Sequence, residues 1–379
     1  MPEPIRHVAD HMPSDWLHGL FVGRADFGAG PSPVLIQDGR LYDMSAAVPT
    51  ASLLLSRRAF SVMAGRDCGP LAEAAGTLLS PVDLQCIKAA GVTFATSALE
   101  RVIEERARGD SSVAAGIRHS IEQRLCAGLR TVKPGSSEAA ALKQLLIQEG
   151  MWSQYLEVAI GPDAEVFTKA PVLSSVGHGE PVGVRSDSGW NNPEPEVVLA
   201  IDRSGTPLGA MLGNDVNLRD FEGRSALLLG KAKDNNASCA LGPFIRLFDE
   251  SFTMDDVRSA ELSLEITGRD GYRLEGRSSM SQISRDPMDL VQQTWSEHQY
   301  PDGAVLFLGT LFAPTQDRDE AGRGFTHKSG DTVTIHSARF GTLRNTVTTS
   351  KAAAPWTFGV ADLMLNLAQR GLLISGVIS

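Results

Sequence analysis

The stretch from residue 194 to 215 constrains the fold more than any other part of the chain. Glu196-Val-Val-Leu-Ala-Ile201 and Leu208-Gly-Ala-Met-Leu212 are short apolar runs separated by Asp202-Arg-Ser-Gly205, the pattern of a β-hairpin. Folding that hairpin about its midpoint near residues 204–205 sets Gly213–Asp215 alongside Glu194–Glu196. Alternate side chains of a strand share a face, so Glu194 and Glu196 point the same way, and Pro195 keeps Glu194 extended. Three carboxylates, Glu194, Glu196 and Asp215, therefore meet at one strand end. Close carboxylates repel unless one is protonated or a cation lies between them. Three hard oxygen donors without Cys or His suit Mg²⁺, Mn²⁺ or Ca²⁺. The plainer alternative is a solvated strand face, with Asn214-Asp215 capping the next helix. Trp190, Asn191 and Asn192 beside the pair are costly choices for an ordinary loop and favour a site.

The rest of the 379 residues suggests two domains. Leu20–Gly23, Pro33–Ile36 and Leu41-Tyr42 form a β-region in which Asp38-Gly39 is a hairpin turn. Residues 50–150 read as helical: 51–64, 70–79, 97–108, 113–125 and 137–148. In 97–108, Leu99, Val102, Ile103 and Ala107 form one stripe, leaving Glu100, Arg101, Glu104, Glu105 and Arg108 to the other face. Beyond 155 come further strand-like runs at 262–267, 305–308 and 332–336, interrupted by a helix at 218–229. Together with 37 glycines and 20 prolines, this predicts a mixed or antiparallel β-rich domain rather than alternating βαβ units. The expected division is 1–155, a β-unit plus a helical region that is a candidate lid, and 156–379.

A formal net charge of −10 with no basic face argues against a nucleic-acid partner. No apolar run approaches the roughly 18 residues of a bilayer span. Met1–Pro13 lacks the apolar core of a signal peptide. Cys68, Cys86, Cys126 and Cys239 form no CxxC pair, as expected for reduced thiols of a cytoplasmic protein. His119 and His178 read as structural.

Three ordered segments, NNPEPEVVLAI, GAMLGNDVNLRD and GKAKDNNASCALGP, resemble the fumarylacetoacetate hydrolase superfamily. Its pattern is E-x-E, then G-N-D-x-x-x-R-D, then A-K-x-x-D-x-x-x-x-L-G-P. The resemblance runs over about 165–345, through Leu308-Gly309-Thr310, Ser329-Gly330-Asp331 and Gly341–Asn345. It implies an α+β fold, a β-rich mixed β-sandwich roll with a smaller N-terminal α/β domain. It also implies a homodimer or homotetramer, and a divalent metal, usually Mg²⁺, on Glu194, Glu196 and Asp215. Lys233 would be the nearby cation, and Arg219 would lie behind the ligands or at the substrate. Family substrates are 2-oxo or 2,4-dioxo acids. Chelation of such an acid polarises C2=O and acidifies the C3 protons.

Hydrolytic members present a histidine near the N-terminal junction. The corresponding GVTFATSALERVIEE, Gly91–Glu105, has none and offers Glu100 and Glu104 instead. That segment, the WNNPEPE form of the carboxylate motif and the helical insertion look like the sugar-acid branch, the 2-dehydro-3-deoxy-D-pentonate dehydratases. The likeness implies conversion of 2-keto-3-deoxy-D-xylonate or -arabinonate to 2,5-dioxopentanoate. In it Glu100 moves the proton, Lys233 stabilises the enolate, and Arg219, Thr310 and Asn192 contact the small-molecule 2-oxo acid. The alternatives are a C–C hydrolase of a 2,4-diketo acid or acylpyruvate, which shares every metal ligand, and a catalytically silent binding member of the same fold.

Overall fold

The computed structural model describes residues 4–114, 116–118, 132–312, 314, 316–320 and 323–373. Most of the helix expected at 113–125, with His119 and Cys126, lies outside them.

Strands β1 (Phe21–Asp26), β2 (Pro31–Gln37), β3 (Arg40–Asp43), β4 (Arg66–Pro70), β5 (Thr77–Leu79) and β6 (Cys86–Gly91) precede the helical insertion. They are followed by β7 (Glu165–Ala170), β8 (Val182–Val184), β9 (Asn191–Asn192), β10 (Pro195–Ile201), β11 (Pro207–Asp215), β12 (Asn217–Leu218) and β13 (Cys239–Leu247). The remainder are β14 (Glu261–Thr267), β15 (Arg273–Ser279), β16 (Ala304–Phe307), β17 (Thr332–Ser337) and β18 (Gly341–Thr349). One eleven-stranded sheet runs β4-β3-β2-β1-β13-β11-β10-β16-β6-β7, with β5 on β1. Residues on both sides of position 155 share it, through β1 against β13 and β6 parallel to β16. A second sheet has the order β15-β14-β17-β18-β8.

Every residue of β10 is buried, as expected of a strand covered on both faces. Val197, Leu199 and Leu212 pack with Leu262, Leu264, Ile335 and Leu343 of the second sheet. Val198, Ala200 and Met211 face the other way, towards Val22, Leu35, Leu54 and Leu55. β14, by contrast, alternates exposed and buried because one of its faces meets solvent. The hairpin expected at 196–213 is present, with Pro195 opposite Asn214 and Glu196 opposite Gly213.

Helices α1 (Ala51–Ser56), α2 (Ala95–Arg106), α3 (Ser137–Gln148) and α4 (Gln154–Ile160) fill part of the expected helical region. Ser136 caps α3, its Oγ accepting from the Ala139 N–H at 3.1 Å. Three helix expectations fail. Residues 70–79 are not helical: a 3₁₀ turn, Leu71–Glu73, leads into β5, where Leu78 is buried opposite Ala25. Pairing with β1 outweighs the weak helical preference of Ala and Leu. The helix expected at 51–64 stops at Ser56, and Arg58 takes a positive φ of 49°. The helix expected at 218–229 divides into α5 (Arg219–Arg224), a 3₁₀ turn and α6 (Leu229–Lys233), because Ser225 is extended at φ −169°. Among the described residues, no helix is long and apolar enough to cross a membrane.

Candidate active site

The ends of β10 and β11 bring Glu194, Glu196 and Asp215 together, all buried, with one oxygen of each within 4.8 Å of the others. Lys233, at the end of α6, donates to Glu194 Oε2 at 2.5 Å and to Asp215 Oδ2 at 3.1 Å. Lys169 of β7 pairs with Asp215 Oδ1 at 2.8 Å. The Gly309 N–H donates to Glu196 Oε2 at 2.6 Å, and the second oxygen of Glu196 accepts no hydrogen bond among the described residues. Gly309 must be glycine: φ is +90°, and a Cβ there would sit 1.9 Å from Thr93 Oγ1.

These contacts set the protonation states. Burial and the Asp215 and Glu194 charges push the Glu196 pKa well up. Burial would raise Asp215 too, but Lys169 and Lys233 outweigh it and bring the pKa down. Burial would strip the Lys233 proton, yet Asp215, Glu194 and Glu222 raise its pKa, so Lys233 stays an ammonium. That excludes the role of general base for Lys233. A buried cluster of hard oxygen donors, with one Glu196 oxygen uncommitted, fits a divalent cation.

Helix α2 lies over this centre. Glu100 and Glu104, on the charged face of the helix, are buried at 6% and 2% exposure. Glu104 of α2 pairs with Arg219 of α5, and the apolar face of α2 packs with Leu146, Tyr155, Leu156 and Trp190. Arg101 is a residue the sequence reading passed over. Its guanidinium bridges Glu194 (2.8 Å), Glu104 (2.7 Å) and Glu222.

The cavity at this centre is lined by the carboxylate trio, Arg101, Lys233, Thr310, Tyr155, Phe167, Glu165 and Glu222. A smaller one beside it is lined by Glu100, Glu104, Asn192, Glu194, Arg219 and Thr310. Arg219 is four residues past Asp215, but strand β12 and not a helical turn separates the two, and its side chain bonds to other carboxylates. Its Nε donates to Glu104 at 2.6 Å and another nitrogen to Glu100 at 2.7 Å, with the guanidinium stacked on Trp190. Glu100 also accepts from Arg118 through both oxygens, at 3.1 and 2.5 Å. Thr310 Oγ1 accepts from the Phe312 N–H, and Asn192 Oδ1 is buried without a hydrogen-bond partner among the described residues. His178 is far from this chemistry in character: it is fully buried, next to His11, and burial lowers its pKa to about 3.

Glu222, also passed over, is buried against Arg101 and Lys233. Burial pushes its pKa up to about 7, against the cations Arg101 and Lys233 and with the help of Glu194 and Glu104. Between about pH 4.5 and 7 the folded protein therefore binds a proton at Glu222 that the unfolded chain has released, so this group makes stability fall as pH rises through that window. We expect the wild-type urea midpoint, without metal, to drop relative to Glu222→Gln between pH 5 and 7.5. Parallel curves for the two proteins would show that Glu222 does not titrate there.

A trio of buried carboxylates at the ends of paired strands, inside two packed sheets, defines a class of candidate divalent-metal enzymes. The family model for fumarylacetoacetate (FAA) hydrolase C-terminal matches residues 151–348, more than half of the chain, and the chain belongs to that family. It is 34% identical over 179 residues to the 2-dehydro-3-deoxy-D-arabinonate dehydratase of Saccharolobus solfataricus, covering 47% of this chain and 57% of that protein. It is 33% identical over 203 residues to a Haloferax volcanii protein named "Probable 2-keto-3-deoxyxylonate dehydratase", covering 53% and 66%. The chain thus spans less than two thirds of the length of these curated relatives. A solved 2-keto-3-deoxy-D-arabinonate dehydratase in its apo form shares the fold, with a TM-score of 0.63 at 22% identity over 87% of this chain and 98% of that one. The same enzyme complexed with magnesium and 2,5-dioxopentanoate gives 0.61 over the same shares.

Proposed function

We propose that this chain is a Mg²⁺-dependent hydro-lyase that converts a 2-keto-3-deoxy pentonate, such as 2-keto-3-deoxy-D-xylonate or -arabinonate, to 2,5-dioxopentanoate and water. The observation that carries this is the buried trio Glu194, Glu196 and Asp215 in a cavity whose described lining contains carboxylates, lysine and arginine but no histidine to activate water. The names of the relatives support the same substrate class. Mn²⁺ or Ca²⁺ would suit the same oxygens.

Bound by the three carboxylates, the metal supplies a Lewis acid for the 1-carboxylate and 2-oxo group. The chain's own residues do the rest. Lys233 holds a fixed positive charge at the developing enolate oxygen, and Thr310 and Asn192 contact the substrate from the side shared by the two cavities. A proton must leave C3 and another must reach the departing C4 hydroxyl. Glu100, the base expected from the sequence, has its oxygens taken by Arg118 and Arg219, and would serve only once Arg118 releases it. Glu222 faces the cavity at the trio with a pKa raised to about 7, the range that suits proton transfer in both directions. In our reading Glu222 is the stronger candidate and Glu100 chiefly positions Arg219. Helix α2, in the 1–155 part, covers the cavity as a lid, and the enzyme works as a homodimer or homotetramer.

Incubation with 2-keto-3-deoxy-D-xylonate and Mg²⁺ should release 2,5-dioxopentanoate. Glu222→Gln should lower kcat by about 10²–10³ and Glu100→Gln by less. Release of pyruvate from an acylpyruvate, with the pentonate untouched, would overturn the reading in favour of a C–C hydrolase.

A further inference from the structure

Helix α7 (Val360–Gln369) lies beyond residues 151–348, the part of the chain that the family model matches. One side of it is spent on the body of the protein. Leu363 and Leu367 are buried at 3% exposure. Asn366 Nδ2 donates to Ala29 O at 2.8 Å, and the Arg370 guanidinium donates to Pro31 O at 2.8 Å and Ser32 Oγ at 2.7 Å. These bonds fix the helix across the turn between β1 and β2.

The other side is apolar and bare. At about 100° per residue, Val360, Met364 and Ala368 follow Leu363 and Leu367 around the helix, then come Ala361 and Leu365, with Asp362 and Gln369 beyond them. The apolar arc thus spans about 200°, twice the stripe of an ordinary surface helix, and the chain covers only part of it. Val360, Met364 and Leu365 keep 44%, 59% and 61% of their surface in solvent. Trp356 and Leu373, each four residues outside the helix, keep 46% and 44%. With Ala361 and Ala368 these residues form an exposed patch of roughly 500 Å², near the upper end of what a typical monomer shows.

The patch is complementary to itself. It is symmetric about the midpoint of the helix, between Met364 and Leu365: Ala361 matches Ala368, and Trp356 matches Leu373. A two-fold axis through that midpoint sets Met364 against Leu365 of a second copy, and Trp356 beside Leu373. It also sets Ala361 against Ala368, and small residues at both crossings let the helix axes approach to about 8 Å. Val360, Ala361, Met364, Leu365 and Ala368 carry no charge, so two chains of net charge −10 meet there without like-charge contact. Two such patches together bury on the order of 1,000 Å², the size at which specific interfaces begin. We infer that α7 is a subunit interface, pairing antiparallel with α7 of a second copy of this chain across a two-fold axis. The inference deepens the oligomer reading given above and rests on it for the existence of a second copy.

The test is the mass of the full chain by analytical ultracentrifugation at one fixed protein concentration. The wild type should sediment as a dimer, or as a tetramer where a second interface adds to this one. Met364→Glu should halve that mass, with the dissociation constant of the α7 pair raised at least about a hundredfold, because the two-fold axis buries the new charge twice. Combining Met364→Glu with Leu365→Lys should restore the mass, since the axis then faces each glutamate with a lysine. The restored mass also shows that the single variant dissociates through charge and not through misfolding. An oligomer whose mass Met364→Glu leaves unchanged overturns the inference and leaves the oligomer reading standing. A halved mass that Leu365→Lys does not restore overturns the antiparallel pairing. A monomeric wild type overturns both the inference and the oligomer reading.

Discussion

Glu196→Gln should reduce dehydration of 2-keto-3-deoxy-D-xylonate by at least about 10³, and calorimetry should show that Mg²⁺ binding is lost or weakened by a similar factor, because a neutral amide replaces an anionic ligand of a hard dication. Without metal the same variant should unfold at a higher temperature than the wild type, by about 1–3 °C. The reason lies in the geometry. Three carboxylates with oxygens within 4.8 Å of one another repel, and Lys233 and Lys169 are directed at Glu194 and Asp215 but not at Glu196. The amide keeps the size of the side chain and the acceptor for the Gly309 N–H while removing the repulsion. Stability and activity thus move in opposite directions, the expected cost of a site built from like charges. A variant that loses both would show that Glu196 is a structural residue. One that keeps full activity would remove it from the metal site.

The trio was legible because it depends on one local event. A two-strand hairpin brings Glu196 opposite Gly213, close to what folding about residues 204–205 predicts, with a bulge between Ala200 and Ile201 taking up the one-residue difference from the 202–206 turn. The surroundings of the trio depend on elements far apart in the chain. Arg101 reaches Glu194 across 93 residues and Arg219 reaches Glu104 across 115. Nothing in the periodicity of α2 says that its charged face will be roofed by α5. A signal was present all the same: Glu100, Arg101 and Glu104 carry a guanidinium between two carboxylates at helical spacing, and Glu222 lies three residues past Arg219, just beyond the end of its motif. On β7, Glu165 and Phe167 line the cavity at strand spacing, but Lys169 is placed by a register shift opposite Ile87 and Lys88 that the residue pattern does not announce. The helix expected at 70–79 fails for the complementary reason, since its Ala and Leu content fits a helix but Leu78 gains more from pairing beside β1.

The second large effect is on stability. Arg101→Met should destabilise the metal-free protein by about 3–5 kcal/mol, read as a fall in the urea midpoint, because removing one partner of a buried charge cluster leaves the others uncompensated. Its guanidinium touches three carboxylates from three elements: Glu104 on α2, Glu194 before β10 and Glu222 on α5. Methionine keeps most of the volume, so the loss is electrostatic and not a cavity effect. Lysine should rescue little, because one ammonium cannot span three acceptors held by a planar fork of donors. Neutralising a partner should rescue more: Arg101→Met with Glu222→Gln should recover about 0.5–3 kcal/mol relative to the sum of the single effects, the range found for groups in one network. Strict additivity of the two substitutions would mean that Arg101 and Glu222 do not share a network. A tolerated Arg101→Met would mean that solvent reaches the three carboxylates, against their burial at 2–6% exposure.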